Sequence, residues 1–159
     1  MLLNEFANIK VITTEPSEFF LKRSQDYDPL SYSSMMSLEP KIDFLNDLNE
    51  WESWRRVGDS VLHVELRKWA DILIIAPLSA NTLSKMANGL CDNLLTCIIR
   101  AWDTSKACLV APAMNTMMWN HPVTAKQIET ISSWGTTIIQ PISKKLACGD
   151  IGVGGMADL

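Results

Sequence analysis

The sequence predicts an α/β protein built as three layers, with helices on both faces of a parallel sheet. Three observations predict it. Residues 71–76 (DILIIA) and 107–111 (ACLVA) are unbroken apolar runs, the composition of strands covered on both faces. Residues 136–139 form a third such strand. Between these runs lie stretches with helical patterning, and strands alternating with helices imply parallel pairing.

The remaining elements follow from local signals. Residues 9–13 (IKVIT) are β-branched and short, and read as a strand. Residues 16–22 read as a brief helix with Thr14 as its N-cap. Residues 23–40 carry Asp-Pro, Ser-rich and Glu-Pro elements and read as a loop, longer than most connections in compact domains. Helical patterning returns over 41–56 and is interrupted at Gly58-Asp59. Residues 62–69 form a short helix, and 80–87 another, stopped by Asn88-Gly89. Asp92 caps a helix running to about Trp102. Pro122 opens a helix that ends near Trp134-Gly135, with His121 as its entry residue. Four of the seven glycines crowd into 149–155, a segment with no strong helix or strand preference and freedom to hinge.

A length of 159 residues suits one domain with a real core. A net charge of −4 argues against nucleic acid, which needs a concentrated basic face. No apolar run reaches the roughly 20 residues that cross a bilayer, so no membrane partner is expected. Residues 1–10 lack the basic start and apolar stretch of a signal peptide. A cytoplasmic location is therefore expected, with Cys91, Cys97, Cys108 and Cys148 as reduced thiols. Their spacing is not that of a zinc site, and His63 and His121 are the only histidines, so no metal is expected. Cys91, Cys97 and Cys108 sit among apolar residues and read as small core residues. Met114, Met117, Met118 and Trp119 read as packing at an interface or over a ligand, with ordinary core as the simpler reading for Trp119 and for most of the six tryptophans.

Ligands of a parallel α/β sheet bind at the carboxyl ends of the strands. Two strands here end alike, in IIAPLSANT (74–82) and LVAPAMNT (109–116). Proline cannot donate to a ladder, so each strand is expected to end at Ala-Pro and turn outward into a polar Asn-Thr pair. Ser79, Asn81 and Thr82 then sit at a helix start, whose free N–H groups suit an anion or the carbonyl edge of a flavin. Simple capping by Ser79 and Asn81 explains one such turn. Two of similar chemistry at neighbouring strand ends favour a site. Asn115 can hold a carboxylate or an amide, or merely serve the turn after Pro112. His63 suits acid–base work or carboxylate binding, since the reference pKa of free histidine is about 6.5, though alone it reads as a solvated helix residue. Cys148 lies in a Gly-rich loop after Lys144 and Lys145. A thiol of pKa about 8.5 is mostly protonated at neutral pH and can act as an acid, whereas nearby lysines favour thiolate, and both states stay open. GVGG (152–155) has no following helix and is not a dinucleotide fingerprint.

The stretch VLHVELRKWADILIIAPLSANTLSKMANGLCDNLLTCIIRAWD (61–103) resembles the middle of the eukaryotic phosphopantothenoylcysteine decarboxylases. APAMNTMMW (111–119) is similar to their substrate clamp, KKLACGD (144–150) to the flap with their catalytic cysteine, and NEWESW (49–54) fits as well. Agreement is weaker at VITTEPSEFF (11–20). The family belongs to the homo-oligomeric flavin-containing Cys decarboxylases, trimers with FMN near subunit interfaces and a flavodoxin-like or Rossmann-like fold. The resemblance implies that Thr14, Glu15 and Pro16 lie near the flavin, that Ser79, Ala80, Asn81 and Thr82 contact FMN, and that Ala113 lies close by. It implies that Asn115 binds substrate under a cover of Lys145 and Ala147, and that His63 and Cys148 are catalytic.

The implied reaction removes CO2 from the cysteine carboxylate of phosphopantothenoylcysteine, giving phosphopantetheine for coenzyme A synthesis. FMN supplies the electron sink that the substrate lacks, and the protein orients and protonates. The implied assembly is a homotrimer, with the Met117–Trp119 cluster as apolar interface surface, or a mixed trimer. A non-catalytic regulatory subunit of a mixed trimer, related to phosphatase inhibitors, is the alternative. A decarboxylase of peptide C-terminal cysteines is a third reading. Family members begin with a further strand and a Gly-Ser-Val turn for the FMN phosphate, and end with a further helix. The resemblance therefore implies one flavoprotein domain over 1–159, shortened at both ends, with weakened FMN binding.

Overall fold

The computed structural model describes residues 8–37, 42–146 and 149–158. The chain divides into two compact units, Met1–His63 with Asn93–Leu95, and Val64–Asp92 with Thr96–Leu159.

In the first unit, β1 (Lys10–Ile12) pairs in parallel with β2 (Asp43–Leu45). The Lys10–Asp43 ion pair, 2.7 Å, sits at the start of this register. Helix α1 (Glu15–Tyr27) opens with Pro16 in its first turn and with a capping box. The Thr14 hydroxyl accepts the Ser17 N–H, while the Ser17 hydroxyl accepts the Thr14 N–H at 2.7 Å. Thr14 is thus the N-cap the sequence marks, but the helix runs well past residue 22. The stretch expected as a loop continues α1 and then forms α2 (Pro29–Met36). The Asp28-Pro29 pair that reads as a loop is a helix start: Asp28 accepts the Ser31 N–H at 3.1 Å and proline occupies the first turn. The helix expected over 41–56 is likewise divided into β2 and α3 (Asp47–Ser53). Asn46 separates them, with its side chain accepting the Leu48 and Asn49 N–H groups.

Glu18 holds these pieces in place. Its Oε1 accepts from the Asn46 amide at 2.7 Å and from the Thr13 hydroxyl at 3.0 Å, joining α1 to the end of β1 and the cap of α3. The Asn46 and Thr13 bonds hold its carboxyl below the usual glutamate value.

The second unit is centred on a parallel sheet of order β3-β4-β5: β3 (Ile72–Leu78), β4 (Ala107–Pro112) and β5 (Thr137–Ile138). Its elements match the expected ones closely. The last turns of α4 (Leu62–Trp69) are tied to this sheet by Lys106, whose ammonium reaches the carbonyls of Lys68 at 3.2 Å and Ala70 at 2.6 Å. A cation there complements the helix C-terminus. Helix α5 (Ala80–Asn88) is capped by Ser79 and ended by left-handed Gly89. It packs against α8 (Pro122–Ser133), burying Leu83, Met86 and Ile131. Truncating such a side chain costs about 2–5 kcal/mol. Helix α6 (Leu94–Arg100) is shorter than expected, and Asp47 accepts the Leu94 N–H at 2.7 Å. Asp92, just ahead of it, accepts from Lys85 at 2.7 Å.

Three readings are corrected in this unit. One strand runs through its proline: Pro77 lies inside β3, whereas Pro112 ends β4 as expected. The sheet absorbs Pro77 because β3 is an edge strand in this sheet and its register slips between Ile75 and Leu78. Ile74 is 39% exposed rather than covered on both faces. Cys108 is buried, and burial pushes its thiol up, but Cys91 is exposed. None of the six tryptophans is buried.

The glycine-rich tail is not an irregular hinge. β7 (Ile151–Gly155) pairs antiparallel with β6 (Ile142–Lys145). This hairpin docks on the β4 exit through Met114 N–H to the Gly154 carbonyl, 2.9 Å. The glycines permit the approach. A Cβ on Gly154 would strike the Met114 carbonyl oxygen, and its φ of +132° excludes most side chains. A Cβ on Gly152 would strike the Thr116 hydroxyl.

Two outcomes are expected. Gly154→Ala should unseat the hairpin while leaving the α5–α8 core folded. Strain at such a φ costs about 1–3 kcal/mol, so Met114 N–H exchange should rise on the order of tenfold or more. Unchanged protection of that amide would contradict the docking. The second concerns pH. Because the folded state lowers the Glu18 pKa, its stabilisation is present above the unfolded glutamate value and is lost as pH falls through the folded one. Urea unfolding should find Glu18→Gln less stable by about 1 kcal/mol at neutral pH, with the gap closing on acidification. Parallel stability curves down to acid pH would remove Glu18 from this role.

Candidate active site

The two similar turns of the sequence meet at one edge of the second unit. β3 and β4 are parallel, so both exits lie at the carboxyl end of the sheet, with Leu78 opposite Pro112. A bond from the Ala113 N–H to the Leu78 carbonyl, 2.9 Å, stitches one exit to the other. Ser79, Ala80, Asn81 and Thr82 follow directly on one side, and Met114 and Asn115 on the other.

At the first turn the Ser79 hydroxyl accepts the Thr82 N–H and bonds the Thr82 hydroxyl, both at 3.1 Å. Ser79 does cap the helix, as the simpler reading required. The first N–H groups of α5, those of Ala80 and Asn81, have no carbonyl within the helix to bond. Ser79 and Asn81 are exposed.

At the second turn Asn115 caps the short helix α7 (Thr116–Trp119), and its Oδ1 accepts the Met117 N–H at 2.8 Å. That bond orients the amide, because only the oxygen can accept. The NH2 is therefore turned the other way, and its Nδ2 lies 3.5 Å from Asp150 Oδ2 on the docked hairpin. Below it, Thr116 Oγ1 is the only buried side-chain N or O without a partner among the described residues. Met117 and Met118 are exposed.

The hairpin brings Lys145, exposed at the end of β6, into the same unit. Its turn is closed by Gly149 N–H to the Leu146 carbonyl and by Leu146 N–H to the Asp150 carbonyl, each 2.8 Å. Ala147 and Cys148 lie outside the described residues.

The other expected site residues belong to the first unit. Thr14, Glu15 and Pro16 form the entry to α1. His63 lies in the first turn of α4 and is only partly exposed. Its Nδ1 lies 2.6 Å from Glu50 Oε1, and its backbone N–H donates to Glu50 Oε2 at 3.1 Å. Sequence reasoning missed Glu50. It stands inside the NEWESW motif, but nothing local marks it as a partner for a side chain thirteen residues on.

The whole chain, residues 1–159, matches the Flavoprotein family. It is 52% identical over 155 residues to a phosphopantothenoylcysteine decarboxylase of Oryza sativa subsp. japonica, covering 98% of this chain and 65% of that protein. The chain thus spans just under two thirds of that relative's length. Among solved structures, it resembles a PPC decarboxylase variant complexed with pantothenoylaminoethenethiol, with a TM-score of 0.86 and 51% identity over 98% of this chain and 79% of that one. It also resembles the FMN binding protein AtHal3, with a TM-score of 0.81 and 52% identity over 98% of this chain and 77% of that one. The chain belongs to the Flavoprotein family, alongside the phosphopantothenoylcysteine decarboxylases.

Proposed function

We propose that the chain is an FMN-dependent decarboxylase that converts phosphopantothenoylcysteine to phosphopantetheine. The observation that carries this reading is the Ala113–Leu78 bond, which sets two polar turns side by side at the carboxyl ends of adjacent parallel strands. Identity of about one half to decarboxylases of this substrate supports it.

The residues present fit a flavin. The start of α5 offers backbone N–H groups with no carbonyl partner inside the helix and the Ser79 and Thr82 hydroxyls, which suit the carbonyl edge of an isoalloxazine. Thr14, Glu15, Pro16 and Ala113 are the further contacts we assign to it. When bound, FMN would supply the electron sink that the substrate itself lacks.

The protein's own part is to bind, orient and move protons. Asn115, whose Oδ1 is held by the cap of α7, presents its NH2 as a donor to the substrate carboxylate. Lys145 and Ala147 cover the bound substrate. His63 is the group that meets the reacting end, with its ring held by Glu50. Cys148, assigned from its place in KKLACGD, returns the last proton. A trimer is the proposed assembly, with the exposed Met117 and Met118 at the contact.

The test is turnover of phosphopantothenoylcysteine by the FMN-loaded protein, with activity eluting as a species of three chains. Asn115→Ala should cost about 10–100-fold in turnover, the worth of a hydrogen bond to a charged group. Cys148→Ser should release CO2 once and stall with reduced flavin, since a serine hydroxyl is far less acidic than a thiol. His63→Asn should stall earlier, with little CO2 and oxidised flavin. Normal turnover by Cys148→Ser would remove the proton-donor role. Turnover of a peptide ending in cysteine, but not of the free compound, would contradict the substrate.

A further inference from the structure

Glu50 makes two bonds to one residue, and the pair of them dictates a proton's position. Its Oε2 accepts the His63 backbone N–H at 3.1 Å, and its Oε1 lies 2.6 Å from His63 Nδ1. Both side chains are largely enclosed, at 15% exposure for Glu50 and 25% for His63. A carboxylate offers acceptors only. The proton in the short contact must therefore sit on Nδ1, and in the neutral ring Nε2 is left with the lone pair.

The other histidine is held in the opposite way. His121 caps α8, and its Nδ1 accepts the Val123 N–H at 3.2 Å. A nitrogen that accepts from a backbone N–H carries no proton, so the neutral His121 ring is protonated on Nε2.

We infer that Glu50 is a positioning residue that fixes His63 in the Nδ1–H tautomer, leaving Nε2 as the ring atom that accepts a proton or hydrogen bond. A structural tie alone would need only one of the two bonds. The paired carboxylate also balances the charge when His63 takes up a proton at Nε2, with no further group required. The inference rests on the reading of His63 as the group that meets the substrate, but the tautomer itself can be tested without activity.

The chain has two histidines, so a long-range 1H–15N spectrum of the FMN-loaded full chain, labelled at histidine, resolves both rings. On the alkaline side of both imidazole titrations, the rings should show opposite tautomers, Nδ1–H for His63 and Nε2–H for His121. Glu50→Gln should then switch His63 alone. The amide oxygen must take the His63 backbone N–H, which is only ever a donor. The amide NH2 then faces Nδ1, and the ring must turn that nitrogen into an acceptor. His121 serves as the internal standard and reports that the variant is folded. Turnover by Glu50→Gln should fall on the order of 10–100-fold in kcat with little change in KM, as for other partners that orient a reacting ligand. Glu50→Asp should keep the Nδ1–H pattern. An Nε2–H His63 in the unsubstituted protein, or an Nδ1–H pattern that persists in Glu50→Gln, overturns the inference. A switched tautomer with undiminished turnover sustains it and instead removes His63 from the reaction.

Discussion

Adjacent parallel strands deliver their following segments to the same end of a sheet, and the candidate site depends on that constraint. β3 and β4 stay paired from Ile72 opposite Ala107 to Leu78 opposite Pro112, across a one-residue register slip beside Pro77. The Ala113–Leu78 bond carries the alignment one residue beyond the ladder. Beneath it lie fully buried Leu78, Leu83, Val110 and Ala111. Close packing there leaves the two turns little room to drift, because interiors tolerate few voids or shifts.

Capping then does two jobs with the same atoms. Ser79 and Asn115 satisfy helix N–H groups, as any cap does, and in doing so fix which polar atoms remain turned outward. Capping by Ser79 is thus compatible with the cofactor-contact role proposed for it. Glu50 extends the logic, since it satisfies an N–H in the first turn of α4 and orders the ring attached to the same residue. The docked hairpin adds a third element, admitted only because Gly152 and Gly154 have no side chain to collide with Thr116 and Met114.

Much of the second unit was legible in the sequence because its signals are local. DILIIA, ACLVA, the Gly89 stop and the Pro122 start each act within a few residues. What was missed depends on partners distant in sequence. β2 is only DFL, and it is a strand because Lys10–Ile12 pairs with it. β7 is glycine-rich, and it is a strand because β6 lies beside it. The helix at Pro29 was hidden by an Asp-Pro pair that serves loops and helix starts equally well. The exits, with Ser79, Asn81, Thr82 and Asn115, were legible through their repeated Ala-Pro pattern. Glu50 was not, since no periodicity links it to His63. Nor was the exposure of Cys91 and the tryptophans, which composition cannot report.

Under the proposed function, the two strand exits form one flavin-facing surface. Peptide-resolved hydrogen exchange, with and without FMN, tests it most directly. FMN should slow exchange together in the segments holding residues 79–82 and 113–116. Protection confined to other segments, with both exits unchanged at saturating FMN, would contradict it.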